Sequence, residues 1–128
     1  MINIYEPSLG KEELGAVEDE FVKEFAKKLI SDSNEFGYSY ASSEHLTTIS
    51  CCSEALFQAV HAYVKEGDEV IMPTISFVAA ANAVVAEKAI PVFCDVNPRT
   101  LNPEVEDIER CITKKTTALI VLHYAGVP

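Results

Sequence analysis

A chain of 128 residues, 48% apolar and 23% charged, has the composition of one modest globular domain: too apolar for a disordered chain and short for a complete two-domain enzyme. Its formal net charge of −10 excludes nucleic acid as a partner, because like charges would repel. No apolar run approaches the ~20 residues that span a bilayer, and no basic, apolar leader opens the chain. Cys51, Cys52, Cys94 and Cys111 are therefore expected as reduced thiols in a cytoplasm, with no membrane association.

From Lys11 to Ile30, Leu14, Val17, Phe21, Phe25 and Leu29 recur at steps of three or four, which places them on one face of an amphipathic helix. Ser31 to Glu44 is rich in Ser, Asn, Gly and Tyr and follows neither period, so it reads as a loop. Residues 1–44 thus form an N-terminal helix and loop, and residues 45–128 an α/β portion. There the β-branched run His45–Ser50 reads as a strand, Ala55–Lys65 as a helix and Glu69–Met72 as a short apolar strand closed by Pro73. Phe77–Lys88 is helix, Ile90–Cys94 strand, Pro103–Ile112 helix and Ala118–Leu122 strand. Four strands alternating with three helices predict right-handed βαβ crossovers and a mostly parallel sheet with helices on both faces. Ligands of such sheets gather at the carboxyl ends of strands. After the last strand this alternation requires a further helix, where the sequence reads HYAGVP.

The stretch ISCCSEAL, Ile49 to Leu56, admits several chemistries. Two adjacent thiols do not easily point at one metal, and no second Cys or His pair stands at zinc-ligand spacing, so no metal site is expected. His45, His61 and His123 lie in different elements, with no rule bringing one to a catalytic thiol. Buried or half-buried structural thiols are one reading. A turn that holds an anion is the other: small residues opening a helix leave backbone N–H groups unpaired, and the helix dipole adds positive potential. Ser53 would cap that helix and donate its hydroxyl, and small Cys52 would let the anion approach.

Three segments in order, ISCCSEALFQAV, GDEVIMPTISFVAAANAV and AIPVFCDVNPRTLNPEVEDIERCITKKTTALIVLHYAGVP, resemble the DegT/DnrJ/EryC1/StrS family of sugar aminotransferases. The family pattern is approximately SGTxALxLAL, GDEVIxPxxTFVATANAI and PVFxDVDPxTxNxxxxxIExxITxxTKAIxxVHLYGxP, and it covers the chain from Ile49 to Pro128 almost without a gap. The resemblance implies the N-terminal portion of the large domain of a fold-type-I transferase that depends on pyridoxal 5′-phosphate. Cys52 and Ser53 occupy the Gly and Thr of SGT, whose amides and hydroxyl bind the cofactor phosphate. Phe77 matches the aromatic that stacks on the pyridine ring; its other reading is a core-facing helix residue. Asp95 follows the strand of PVFCDV, where a carboxylate could contact cofactor or substrate, and His123 matches the histidine of VHLYG and could shape the strand end near the cofactor. Asp95 could instead organise the following turn with Asn97 and Pro98, and His123 could be a hydrogen-bonded structural histidine.

Full-length relatives move an amino group, usually from glutamate, to a nucleotide-linked keto-sugar and share their active site across a homodimer. Their acidic partner of the pyridine nitrogen and their Schiff-base lysine belong to segments with no counterpart here. None of the eight lysines, Lys11, Lys23, Lys27, Lys28, Lys65, Lys88, Lys114 and Lys115, matches the family's S-x-x-K segment. No catalytic residue is assigned, and these residues alone are expected not to turn over. An S-G-W-x-x-x-G portion is also missing, EPSLGKEEL running directly into GAVEDEFVKEF. Two other readings stand beside an aminotransferase segment: a dehydratase of the same family with His at the lysine position, and a truncated noncatalytic remnant or interaction module. An unrelated nucleotide-binding domain has little support, since neither G-x-G-x-x-G nor G-x-x-x-x-G-K-[ST] occurs.

Overall fold

The computed structural model describes residues 16, 19–28 and 46–126. The chain divides into two compact units, Met1–Ile49 and Ser50–Pro128. In the first, residues 16 and 19–28 are helical (α1), and Phe21 stacks on Phe25 with ring centroids 5.8 Å apart, the meeting that an i, i+4 spacing on one helical face provides. Leu14, Val17, Leu29 and the loop over Ser31–Glu44 lie outside the described residues, as does the junction where S-G-W-x-x-x-G is missing.

The second unit alternates α2 (Cys52–Tyr63), β1 (Glu69–Pro73), α3 (Ala79–Ala86), β2 (Ile90–Cys94), α4 (Val105–Cys111) and β3 (Thr116–Leu119). The strands pair in the order β2-β1-β3, every pair parallel. The strand expected over His45–Ser50 is not formed: residues 46–49 are irregular, residue 50 is a bend, and His45 is outside the described residues. The described sheet therefore has three strands. β-Propensity expresses fit to neighbouring strands more than an intrinsic backbone preference, so a β-branched run is not by itself a strand.

Glu69–Pro73 reads EVIMP and takes the centre of the sheet, where both faces are covered; Val70, Ile71, Met72 and Pro73 are all buried. Val70 and Met72 point to one face, into a core with Val60 and Val64 from α2 and its C-terminus and Ala80, Ala83 and Val84 from α3. Three of the eight positions of α3 in that core or beside it are alanine, which lets the helix approach the strand closely. Ala118 and Ile120 pack against the same cluster, as the register Val70↔Ala118 requires. Ile71 and Pro73 point to the opposite face with their register partners Val92 and Cys94. α4 covers that face at β2: its Cys111 Sγ lies 3.9 Å from the Phe93 carbonyl, and its thiol acts electrostatically on Cys94. Helices thus flank both faces of a parallel sheet, as the alternation predicts.

Local chemistry sets the ends of these elements. Gly67, with φ of 88°, turns the chain between α2 and β1, and its N–H donates to the Lys88 carbonyl at 3.2 Å. α3 ends in a Schellman motif: Lys88 N–H donates to the Val85 carbonyl (2.9 Å) and Ala89 N–H to the Val84 carbonyl (3.2 Å), with Lys88 left-handed at φ 57° and Ala89 and Val84 packed in the core. The turn after β2 is organised by Asn97, whose Oδ1 accepts the Arg99 N–H at 2.8 Å and whose backbone exchanges bonds with Leu101 and Asn102. α4 opens with the Glu104 N–H donating to Asp107 Oδ2 at 3.3 Å.

Burial pushes the Cys94 thiol above its ordinary 9.0, and the thiol of Cys111 adds to the shift. The folded chain therefore holds this proton after the unfolded chain has released it. The resulting stability is complete below about pH 9 and is lost as pH rises through the folded value. Between about pH 8 and about pH 10 the urea midpoint should fall more steeply for the parent chain than for Cys94→Ala. Parallel slopes would remove Cys94 from the alkaline limb.

Candidate functional site

The carboxyl ends of β1 and β3 meet the N-terminal turns of α2 and α3 around a pocket of about 500 Å³, within the range of small-molecule sites. Cys51, Cys52, Ser53 and Leu56 form one wall. Pro73 closes the end of β1, Ser76, Phe77, Ala79 and Ala80 form the second wall, and Ile120, Val121 and Leu122 the third. Cys52, Ser53 and Phe77, far apart in sequence, thus face one cavity.

α2 begins at Cys52, three residues earlier than its apolar pattern predicts. Cys51 is consequently the N-cap, in extended conformation (φ −160°, ψ 160°), and Ser53 lies in the first turn instead of capping it. Among the described residues no side chain caps this helix. A thiol is a weak acceptor, so the first-turn amides stay open to an anion, with the dipole of a 12-residue helix behind them. Glu54 in the same turn is held by the Ser50 hydroxyl and is not part of the pocket wall. Cys52 is absent from the left-handed residues, so a side chain where the family pattern has Gly introduces no backbone strain.

The pair Cys51 and Cys52 is exposed, which corrects the reading of both as buried or half-buried structural thiols. They open a helix at the rim of a crevice instead of lying on its core face; the buried thiol is Cys94. Phe77 is 74% exposed and precedes α3, so it is not a core-facing helix residue. Its ring is free to cover a planar ligand.

Asp95 and His123 are not brought into this pocket. Asp95 follows β2 and is exposed, and the turn beyond it is organised by Asn97. His123 is exposed past the end of β3, where its carbonyl accepts the Gly126 N–H at 3.0 Å. The apolar wall Ile120–Leu122 was not legible as a site: the pattern predicts strand through Leu122, whereas β3 ends at Leu119. One bond, from Ile120 N–H to the Ile71 carbonyl at 2.9 Å, carries the chain past β1 and into the cavity. The only available signal was position, at the carboxyl end of a parallel strand.

A parallel sheet with helices on both faces, whose carboxyl edge presents the first turn of α2 beside an exposed aromatic, defines an α/β domain with a crevice at its strand ends, the place where ligands of such sheets gather. The chain belongs to the DegT/DnrJ/EryC1/StrS aminotransferase family, whose model matches residues 13–128. It is 41% identical to dTDP-4-dehydro-2,3,6-trideoxy-D-glucose 4-aminotransferase of Saccharopolyspora spinosa, a match covering 100% of this chain and 34% of the relative. It is 36% identical to GDP-perosamine synthase of Vibrio cholerae, over 98% of this chain and 35% of that protein. The aminotransferase TlmJ from Streptoalloteichus hindustanus superposes with a TM-score of 0.67 at 40% identity, covering 97% of this chain and 35% of that one. The chain spans about a third of the length of these relatives. A sugar aminotransferase from Streptococcus pneumoniae, described as putative and solved in its PLP form, is similar over 59% of this chain and 20% of its own, with a TM-score of 0.56 at 30% identity. Among the described residues no helix is long and apolar enough to cross a membrane.

Proposed function

We propose that these residues form the phosphate-binding and ring-covering part of a pyridoxal-phosphate-dependent aminotransferase that acts on a nucleotide-linked keto-sugar with glutamate as amino donor. The observation that carries the reading is the convergence of Cys52, Ser53 and Phe77 on one pocket at the carboxyl edge of the sheet. The donor set fits the cofactor: uncapped amides and a serine hydroxyl suit a phosphate, and an exposed phenyl face suits a pyridine ring. When bound, pyridoxal phosphate supplies an electron-withdrawing ring that takes up the electron pair left when a proton leaves the amino-bearing carbon. The first turn of α2 would hold the phosphate through the amides of Cys52 and Ser53 and the Ser53 hydroxyl. Phe77 would fix the plane of the ring, and Leu56, Ile120 and Leu122 would exclude water from its edge.

Proton transfer at the reacting carbon needs a base within hydrogen-bond reach. Among the described residues no lysine lines the pocket. Lys65, Lys88, Lys114 and Lys115 follow the C-termini of helices and precede β3, at the opposite edge of the sheet. The 12 residues of α2 alone separate Lys65 from the pocket by roughly 18 Å. These 128 residues are accordingly proposed to bind cofactor without completing transfer, the whole enzyme acting as a homodimer. Titrating pyridoxal phosphate into the purified chain, followed by absorbance and quenching, tests the binding part. Phe77→Ala should weaken it by about 0.5–1.5 kcal/mol, roughly twofold to tenfold, and Phe77→Tyr should leave it near the parent value. Equal affinity for the parent and Phe77→Ala would remove Phe77 from the site.

A further inference from the structure

The pocket carries a feature that cofactor binding does not use: two consecutive thiols in its wall. We propose that Cys51 and Cys52 form a covalent modification site for neutral, apolar, thiol-reactive molecules, of which aromatic disulfides are the test class, and that modification there competes with phosphate at the turn. The competition rests on the cofactor reading; the modification site does not. Both thiols are exposed and both residues line the cavity, with no hydrogen-bond partner for either sulfur among the described residues. Leu56, Phe77 and Ile120 make the adjoining wall apolar, so an aryl group delivered to either sulfur has a surface to cover. The other two cysteines lack this setting. Cys94 is 1% exposed, and Cys111 is half-buried with its Sγ 3.9 Å from the Phe93 carbonyl.

In the exchange, a thiolate of the pair attacks one sulfur of the aryl disulfide. The protein–sulfur bond forms as the reagent's S–S bond breaks, and the departing arylthiolate keeps the electron pair and takes the proton that the thiol released. The aryl group then occupies space in front of the α2 amides. Nothing is oxidised beyond the disulfide level, and a small dithiol reverses the step.

The test uses the purified full chain with 4,4′-dithiodipyridine, following release of thiopyridone and mapping the labelled peptides by mass spectrometry. Two of the four cysteines should react on the order of tenfold faster than the rest and map to Cys51 and Cys52. Cys51→Ser and Cys52→Ser should each lose one fast equivalent, and the double variant both. Pyridoxal phosphate should slow the labelling, whereas pyridoxal, which has the aldehyde and ring but no phosphate, should not. Fast labelling at Cys94 or Cys111 instead, or uniform slow labelling, overturns the modification site. Fast labelling at Cys51 and Cys52 that pyridoxal phosphate leaves unchanged overturns the competition and counts against the cofactor reading, while the modification site stands.

Discussion

Ser53→Asp is expected to lower the affinity of the chain for pyridoxal phosphate on the order of 1,000-fold. Two losses combine. A hydrogen bond from a hydroxyl to a charged phosphate contributes about 1.5–3 kcal/mol. A new carboxylate beside that phosphate adds repulsion of a few kcal/mol near a protein surface, part of which salt screens. The substitution also separates binding from folding, because an acidic side chain in the first turn of α2 interacts favourably with the helix dipole. Thermal stability should therefore hold or rise while binding is lost. Ser53→Ala removes the hydroxyl alone and should cost about 10- to 100-fold. Retained affinity in Ser53→Asp would show that the phosphate does not sit at this turn.

Met72→Ala should destabilise the second unit by about 2–5 kcal/mol, measured as a fall in the urea midpoint. Met72 is fully buried on the central strand, packed with Val70, Ala80, Ala83 and Val84, and its removal leaves a cavity that a parallel sheet cannot close by shifting one strand. Domains of this size have about 5–15 kcal/mol in total, so the variant should lie near or past its folding threshold at 37 °C. Val105→Ala is the control: that side chain is 66% exposed at the start of α4, and its truncation should change stability by less than about 0.5 kcal/mol. Equal effects from the two substitutions would mean that the core is not centred on β1.

Much of the fold was legible because its signals are local. EVIMP, read as a short apolar strand closed by Pro73, is a strand, and the fold places it at the centre of the sheet. The segment IPVFC is strand over the residues expected, Ile90 to Cys94. The three helices of the second unit lie where the period of 3.6 placed them, with ends trimmed or extended by caps that periodicity does not see: α3 stops at its Schellman turn, and α2 starts at Cys52. The run His45–Ser50 misled for the opposite reason. Its β-branched composition is local, but a strand exists only when another strand supplies the ladder.

The candidate site divides along the same line. By itself the sequence determined the alternation of elements, the order of the three motif segments and hence the family, because turn chemistry, apolar period and motif spacing are written residue by residue. Only the tertiary structure decided which side chains meet. It turned Phe77 outward, opened Cys51 and Cys52 to the cavity, left Asp95 and His123 outside it, and swung Ile120–Leu122 in as a wall. Those outcomes depend on where neighbouring strands end and how helices from distant parts of the chain converge. Such contacts are non-local, and no window of sequence contains both partners.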